Sequence, residues 1–369
     1  MQLLALNPYH GGSHAAFLDG WRAHSRHAIV PLTLPAHHWK WRMRHAAETL
    51  ATRAVALDDA FDAVWCTSML DLAAFRGLAP ATLAALPCHL YFHENQLTYP
   101  TRDTDGSLAS RDHHFAVTHA TSALAALRSG GSVAFNSAFH RDGFVTQLRK
   151  LLRKMPGREL VHAADWLEEA AQVRPPGIDV PPRAPGGRAP GPLRILWAAR
   201  WEHDKDPDAF FAALRKLKKR GVDFRVSVRG ESFEQVPECF AIARERFAEH
   251  IDDWGYAADR ADYVATLHRC DVFVSTARHE FFGLAAIEAV AAGCFPVLPH
   301  RLAYPGVFGE DRRFYYGGTP DTLADRLAQL AAQLEGGSPA PVPEAVADHA
   351  WPTAAAALDD GVVASTAQI

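Results

Sequence analysis

Cysteine is scarce in this sequence of 369 residues, which has five in all and no C-x-x-C pair. The number is odd, and each cysteine lies in or beside an apolar stretch. Such thiols are typical of reduced, mostly buried residues in a cytoplasmic protein and argue against a disulfide framework. The five are Cys66, Cys88, Cys239, Cys270 and Cys294.

Long apolar runs are lacking too, and no segment approaches the roughly 20 apolar residues that a membrane-spanning helix needs. The chain begins with MQLLALNPYHGGSH, which has no basic stretch ahead of its short apolar run. We therefore expect neither a signal peptide nor a membrane partner, and we predict a cytoplasmic protein.

The sequence also lacks an excess of charge. It has 38 Lys and Arg against 42 Asp and Glu, a net charge of -4. This balance argues against non-specific nucleic-acid binding through a global positive field, although a local basic groove remains open. A hydrophobic content of 48% with 22% charged residues is typical of a globular enzyme.

Several catalytic motifs are missing as well. The adjacent histidines in RDHHF and PAHHW have no H-x-x-x-H spacing, matched carboxylate or cysteine set, so we expect no metal and no cofactor. The sequence contains no G-x-G-x-x-G, which gives no support for a dinucleotide site. It also has no Walker loop and no G-x-S-x-G elbow.

A segment rich in proline, glycine, arginine and alanine divides the chain. Residues 174–192 read RPPGIDVPPRAPGGRAPGP, which excludes a helix or an interior strand and predicts an interdomain linker. We predict an N-terminal domain over 1–173 and a C-terminal domain over 193–345. A tail over 346–369 has the composition of one helix with weak ends.

Strands and helices alternate in both parts. In the second part LRILWAAR is a strand, WEHDKD is a loop, and Asp206-Pro207 provides the N-cap and first residue of a helix that runs to Gly221. MQLLALN, AVWCTS, CHLYFHEN and SVAFNS are strands of the first part. This alternation predicts an α/β fold with two Rossmann-like, doubly wound domains that face a cleft.

Two cations follow a strand of the second part, Arg200 and Lys205. They lie between the carboxyl end of the strand and the start of a helix, where free N–H groups and the helix dipole favour an anion. Arginine adds bidentate geometry and lysine a point charge. The alternative is that both pair with the neighbouring Glu202, Asp204 and Asp206.

The stretch ARHEFFGLAAIEAV suggests a second anion site. The N–H groups of Phe282, Gly283 and Leu284 open a helix and are placed for a phosphate, and Gly283 allows close approach. Glu280 precedes this turn. Glu288 lies on an otherwise apolar helix, where it either faces solvent or accepts hydrogen bonds from adjacent sugar hydroxyls.

Two loops of the first part carry further candidates. Gly11 and Gly12 follow the first strand and are weak indicators of a phosphate or sugar site. In YFHENQLTYP, His93 is placed to bond a substrate hydroxyl, with Glu94 and Asn95 adding polar groups. The alternative for His93 is a satisfied loop histidine.

LPAHHWKWRMRH interleaves aromatic and basic residues, which suits stacking on bases and neutralising phosphates. The alternative is the start of a surface helix with two packed tryptophans. The residues concerned are Trp39, Lys40, Trp41, Arg42 and Arg44. Two further basic segments, residues 148–158 and 214–220, are typical of solvated helix faces.

Arg200 with Lys205, followed by E-F-F-G-(x)4-E from Glu280 to Glu288, resembles the donor site of retaining GT-B glycosyltransferases. In that family the Arg and Lys hold the donor pyrophosphate without a metal. The resemblance implies that Glu280 contacts the sugar, that Glu288 contacts the ribose, and that a histidine placed like His93 lies beside the transferred sugar.

The sequence is more closely similar to the tRNA-queuosine α-mannosyltransferase family, including its bacterial relatives. The shared segments are YHGGSH, LPAHHWKWR, YFHENQLTYP, FNS, RWEHDKDP, WGY and RHEFFGLAAIEAV. The resemblance implies GDP-mannose as donor and the cyclopentene diol of queuosine in the tRNA-Asp anticodon as acceptor. The donor side would then include Gly11 and Gly12, and the acceptor side His14, Glu94, Asn95 and the aromatic and basic residues 39–44.

Two alternatives remain. One is a GT-B transferase that acts on a lipid or small glycan, for which LRKLLRKM would be a basic membrane face. The other is a non-catalytic RNA-binding module on this fold. The sequence gives no expectation of oligomeric state.

Overall fold

A parallel sheet of six strands forms the centre of each of two structural units. The computed structural model describes residues 1–57, 59–99, 113–158, 160–179, 191–232, 236–335 and 344–366. The first unit comprises Met1–Gly177 and His349–Ile369, and the second comprises Ile178–Asp348. All described strand pairs are parallel, which confirms the predicted α/β class.

The first unit has strand order β2-β1-β3-β4-β5-β6. Its strands are β1 (Gln2–His10), β2 (Ala28–Pro35), β3 (Ala63–Thr67), β4 (Cys88–Phe92), β5 (Val133–Phe135) and β6 (Gln172–Val173). Every residue of β3, β4 and β5 is buried, because helices cover both faces of a parallel sheet. The helices are α1 (Gly12–His24), α2 (Trp39–Ala54), α3 (Leu72–Leu78), α4 (Ala81–Ala84), α5 (His113–Arg128), α6 (Ala138–Leu152) and α7 (Val161–Ala170).

The second unit has strand order β12-β11-β10-β7-β8-β9. Its strands are β7 (Leu193–Ala198), β8 (Phe224–Arg229), β9 (Ile251–Gly255), β10 (Val272–Val274), β11 (Phe295–Pro299) and β12 (Tyr315–Tyr316). The helices are α8 (Pro207–Lys219), α9 (Cys239–Arg246), α10 (Arg260–Arg269), α11 (Leu284–Ala291), α12 (Tyr304–Phe308) and α13 (Pro320–Glu335). The order of the strands reverses between β7 and β10, so the loops after these two strands diverge and leave a crevice.

The last helix, α14 (Trp351–Thr366), belongs to the first unit and packs on α1. The buried carboxylate of Asp359 accepts hydrogen bonds from Trp21 Nε1 at 2.8 Å, from Ser25 Oγ at 2.6 Å and from the Arg26 N–H at 2.9 Å. The sequence predicted one helix in a tail over 346–369, and α14 is that helix. It packs on the first unit because its partners lie at the other end of the chain.

The unit boundary falls inside the predicted linker. Residues 174–177 belong to the first unit, where the Arg174 N–H donates to the Phe135 carbonyl at 2.8 Å. Residues 180–190 of the predicted linker lie outside the described residues. The second unit therefore begins at Ile178, earlier than the predicted residue 193.

The five cysteines are free thiols, four of them buried and Cys239 half-buried. Within the described ranges, no helix is both long enough and apolar enough to cross a membrane.

Candidate functional site

Lys205 lies where the loop after β7 meets the loop after β10. Its ammonium is almost fully buried and donates to the His279 carbonyl at 2.8 Å. It also lies 3.3 Å from Glu280 Oε2 and 3.3 Å from Asp204 Oδ2. A cation in this position is held by both loops at once. Its contact with Asp204 is one of the pairings that the sequence offered as an alternative, whereas the contact with His279 was not anticipated.

Glu280 is a half-buried carboxylate that stays ionised. Burial alone would raise the pKa of its carboxyl group, but the Lys205 ammonium and the Phe282 N–H hold that pKa below its usual value. The Phe282 N–H donates to Oε1 at 3.4 Å, so it is engaged by Glu280, whereas the sequence assigned it to a phosphate. Burial lowers the pKa of the adjacent His279 to about 4, with Lys205 adding to the effect, so this imidazole is neutral.

Arg200 lies in the same loop as Lys205 and is more exposed. Its Nη2 is 3.2 Å from Glu202 Oε2, one of the pairings that the sequence offered as an alternative. Asp206 occupies the N-cap position of α8, and Pro207 is the first helical residue, as predicted. The Asp206 carboxylate does not cap the helix, however, because it accepts from Arg278 Nε at 2.8 Å.

Gly283 begins α11 with φ of 99°, a left-handed conformation that favours glycine. A Cβ atom here would lie 3.0 Å from Cε1 of Tyr304. Leu284 follows as the first helical residue. Gly283, Lys205, Glu280 and Tyr304 line one small pocket at this edge of the sheet. Of the predicted anion-binding groups, Lys205 from one loop and Gly283 from the other therefore line the same pocket, whereas Arg200, Phe282 and Leu284 are not among its lining residues.

Glu288 lies on α11 and has a partner that the sequence did not reveal. Its Oε1 is 2.8 Å from Nη2 of Arg260, the first residue of α10. Burial raises the pKa of Glu288 above its usual value, and the contacts with Arg260 and Tyr263 offset only part of this effect. The carboxylate is largely buried, so the exposed-face alternative is wrong.

In the first unit, His93 follows β4 and packs against His14 of α1, with 4.3 Å between ring centroids. Phe17 and Tyr91 pack on the same imidazole, at 4.8 and 4.7 Å. Burial, together with His14 and His140, holds the pKa of His93 well below its usual value, so the ring is neutral. Among the described residues nothing bonds its buried Nε2. Two predicted residues, His14 and His93, are therefore neighbours.

The segment FNS, which entered the sequence analysis only through the family resemblance, supports the loop that carries His93. Asn136 of FNS donates from Nδ2 to the His93 carbonyl at 2.9 Å. Its Oδ1 lies 2.8 Å from Nδ1 of His140. Asn136 and His140 were missed as individual residues, because only the fold brings β5 beside β4.

Asn95 and Glu94, both predicted to contact the acceptor, lie in the loop that carries His93, and the contact of Glu94 stays a prediction. Asn95 is fully buried, and its Oδ1 accepts from the Leu97 and Thr98 N–H groups at 2.9 and 2.8 Å, which forms a tight turn. Glu94 is half-buried, and its carbonyl accepts from Ser68 Oγ at 3.0 Å. The structure therefore explains Asn95 as part of the loop that carries His93, which corrects its assignment to the acceptor.

Gly11 and Gly12 lie at the start of α1. A Cβ atom on Gly11 would lie 2.4 Å from Cβ of Ala36, so packing between loops requires this glycine. Gly12 has φ of 51° and is the first helical residue. Their predicted contact with the donor stays a prediction.

The aromatic and basic residues of α2 divide into two groups. Trp41 is 64% exposed, and Lys40 and Arg44 are exposed beside it. Arg42 is buried and donates to the Pro35 carbonyl at 3.1 Å, which corrects its prediction as a tRNA contact. Trp39 is half-buried.

The contacts of α2 explain this division. Nη1 of Arg42 lies 3.2 Å from Nε2 of His45, and its Nη2 lies 3.0 Å from Nε2 of His37. Trp39 packs on Phe115 with 5.3 Å between ring centroids. We define the α2 patch as the exposed residues Lys40, Trp41 and Arg44.

Over the described part of the chain, no three His, Cys, Asp or Glu side chains cluster as a metal site would require.

Three comparisons place this chain among known proteins. The family model described as "tRNA-queuosine alpha-mannosyltransferase N-terminal" matches residues 2–178. The model "Family 4 Glycosyltransferase in conflict systems" matches residues 147–301. Among solved structures, a sucrose-phosphate synthase from Thermosynechococcus elongatus has a TM-score of 0.63 at 14% identity and covers 100% of this chain and 97% of that one. A glycosyltransferase from Rickettsia africae has a TM-score of 0.59 at 14% identity, covering 98% and 94%.

The two parallel sheets and these structural neighbours show the GT-B fold, as predicted. The two family models identify the chain as a glycosyltransferase. A tRNA-queuosine alpha-mannosyltransferase from Drosophila melanogaster is 33% identical over 336 residues, which are 88% of this chain and 85% of the relative. The chain belongs to the tRNA-queuosine α-mannosyltransferase family, and it is an enzyme. A GDP-mannose-dependent phosphatidylinositol dimannoside mannosyltransferase from Mycobacterium tuberculosis is 27% identical over 40% of this chain and 37% of its own length.

Proposed function

We propose that this enzyme transfers mannose from GDP-mannose, with retention, to the cyclopentene diol of queuosine in the anticodon of tRNA-Asp. The observation that carries the proposal is the 33% identity to the Drosophila enzyme, which extends over both structural units. The clustering of Lys205, Glu280 and Gly283 in one pocket supports the assignment of the donor site to the second unit.

The donor diphosphate would bind at the pocket beside Lys205. Arg200 and Lys205 supply two positive charges, and α11 directs its amino terminus at the same place. Glu280 would contact the mannose and Glu288 the ribose. Charges fixed in advance stabilise a leaving diphosphate without reorganisation, so the proposal requires neither a metal nor another cofactor.

We propose a front-face reaction with retention. The acceptor hydroxyl attacks the anomeric carbon from the face that the leaving diphosphate occupies, and a phosphate oxygen takes the hydroxyl proton. Arg200 and Lys205 neutralise the charge that develops. We assign no side chain as a covalent nucleophile, because in this proposal Glu288 contacts the ribose and Glu280 is paired with Lys205. The neutral His93 is suited to bond a sugar hydroxyl through Nε2.

The acceptor tRNA would contact the first unit through the α2 patch. Trp41 presents an exposed ring on which a base can stack, and Lys40 and Arg44 add charge on the same helix. The net charge of -4 makes such a local patch necessary, because the protein has no general attraction for RNA.

A lipid acceptor is the alternative, and it relies on a basic face over residues 148–155. One cation of this face, Arg149, is bound to Asp165 at 3.1 Å and to Glu168 at 2.6 Å, while Lys150, Arg153 and Lys154 carry the rest of its charge.

Incubation with a panel of donors and acceptors tests the proposal. GDP-mannose, GDP-glucose and UDP-glucose are each combined with tRNA-Asp that carries or lacks queuosine. The tRNA is then digested to nucleosides, which are analysed by mass spectrometry. We expect a hexose on queuosine only with GDP-mannose. Transfer to a polyprenol or phosphoinositide vesicle in a parallel reaction, with none to tRNA, would replace this function by the lipid alternative.

A further inference from the structure

Glu288 is the one charged residue of α11, whose other residues are Leu, Ala, Ile and Val. Its side chain is 17% exposed. A carboxylate in such apolar surroundings tends to take up a proton, because burial penalises the charged form. The groups that face it are therefore decisive for what it can bind.

These groups come from two other segments of the second unit. Arg260 and Tyr263 are supplied by α10, and Tyr263 also hydrogen-bonds the carboxylate. Nη2 of Arg260 lies 2.8 Å from Glu288 Oε1 and donates to the Asp179 carbonyl at 3.4 Å. The guanidinium carbon of Arg260 lies 5.4 Å from the Tyr263 ring centroid. The guanidinium is thus fixed on several sides, although it is 47% exposed.

We propose that Arg260 is a positioning residue for the nucleotide, which holds the Glu288 carboxylate charged and oriented so that it accepts hydrogen bonds from the ribose diol. The inference rests on the proposed function, in which Glu288 contacts the ribose. Arg260 acts through Glu288 and need not touch the donor. Its place in the chain, 28 residues before Glu288, gave no sequence signal of this role.

The electrostatics support this geometry. Burial raises the pKa of Glu288, while Arg260 and Tyr263 lower it and Asp179 raises it. Loss of the guanidinium would therefore raise the pKa further. A protonated carboxyl group accepts weaker hydrogen bonds than a carboxylate, so the ribose contact would weaken as the pH falls.

The experiment measures nucleotide binding by calorimetry on the full chain, with GDP and its 2′,3′-dideoxy analogue. We expect the wild type to prefer GDP by about tenfold or more, as two hydrogen bonds to a charged group predict. Arg260→Ala should lose about tenfold in GDP affinity and most of this preference, while Arg260→Lys should retain part of both. Arg220→Ala is the matched control, because Arg220 also forms an ion pair, with Asp325 at 2.7 Å, at the distant end of α8.

A pH series separates positioning from a general structural effect. As the pH is lowered, the GDP affinity of Arg260→Ala should begin to fall at a higher pH than the GDP affinity of the wild type. Glu288→Gln should show neither the preference for GDP over its dideoxy analogue nor this pH dependence. Undiminished preference for GDP over the dideoxy form in Arg260→Ala would overturn the inference. If Arg260→Ala does not fold, Tyr263→Phe gives the second measurement. A reduced preference for GDP over the dideoxy form in Tyr263→Phe supports the inference. An unchanged preference in Tyr263→Phe, together with a full preference in Arg260→Lys, overturns it.

Parallel titrations with ADP and UDP and their dideoxy forms keep this test separate from the proposed function. If ADP or UDP binds better than GDP, the assignment of GDP-mannose as donor fails. The preference for that nucleotide over its dideoxy form then still tests the role of Arg260. If mannose is transferred as proposed and Arg260→Ala keeps the ribose preference, the inference alone fails.

Discussion

The Nζ atom of Lys205 lies 3.3 Å from Oε2 of Glu280, although 75 positions separate the two residues in the chain. One follows β7 and the other follows β10, the two strands between which the sheet order reverses. The ion pair therefore joins the two loops that form the crevice. It fixes an ionised carboxylate and an ammonium in the pocket before any donor arrives.

Lys205→Ala should lower kcat by about two orders of magnitude or more, because a fixed positive charge beside the leaving diphosphate is lost. Steady-state kinetics with the donor and modified tRNA measures this effect. Lys216→Ala is the control, since Lys216 is an exposed lysine of α8 that pairs with Asp321. A Lys205→Ala enzyme with the activity of the control would refute the role of the ammonium.

Glu280→Gln should reduce stability at neutral pH by about 1 kcal/mol, because it removes a charged acceptor from a buried ammonium that keeps its other contacts. The lowered pKa of Glu280 means that its contribution is complete above the ordinary value of 4.5 and is lost as the pH falls through the lowered value. Denaturant titrations of both proteins should therefore converge in acid.

Glu310→Gln serves as the control for this pH effect, since the pair of Glu310 with His300 lies on the surface. If the stability difference between wild type and Glu280→Gln grew as the pH falls, the pKa of Glu280 would be raised in the folded protein and not lowered, which would contradict this account.

The α2 patch should govern the KM for tRNA. Trp41→Ala, or charge reversal of both Lys40 and Arg44, should raise that KM by about tenfold, since base stacking contributes about 1–3 kcal/mol per base. The affinity for GDP should not change. Arg22→Glu, an exposed cation of α1 in the same unit, provides the control. The patch is misassigned if the donor affinity falls or if the tRNA KM stays at the wild-type value.

Asp359→Ala should destabilise the first unit by about 2 kcal/mol or more, because three donors lose their shared buried acceptor. Thermal unfolding followed by circular dichroism measures this loss. Asp360→Ala removes only an exposed ion pair with Arg26 and should cost less than about 1 kcal/mol. Equal effects of the two substitutions would show that α14 is not anchored through Asp359.

The sequence predicted what local patterns determine. An apolar run followed by Asp206-Pro207 gave the β7–α8 junction, and Glu280 with Gly283 gave the turn before α11. Both features depend on neighbouring residues alone. The alternation of such units was sufficient for the parallel sheets, because adjacent parallel strands need a long crossover connection, which is usually a helix.

Contacts between distant residues could not be predicted. Arg42 and Arg44 are both arginines of α2. Arg42 nevertheless contacts Pro35 and His37, at and after the end of β2, and these residues cover it. Asp359 meets Trp21 across 338 positions, which no local pattern reports. The charged partner of Glu288 was missed for the same reason, because the register of α10 against α11 is set by packing.

The most direct measurement of the central claim is the amount of hexose on queuosine after incubation of tRNA-Asp with GDP-mannose that carries isotopically labelled mannose. The account predicts labelled mannosyl-queuosine with the wild-type enzyme, a strongly reduced amount with Lys205→Ala, and none on tRNA that lacks queuosine. Labelled mannose on unmodified tRNA, or its complete absence from queuosine with an enzyme that binds GDP, would contradict the account.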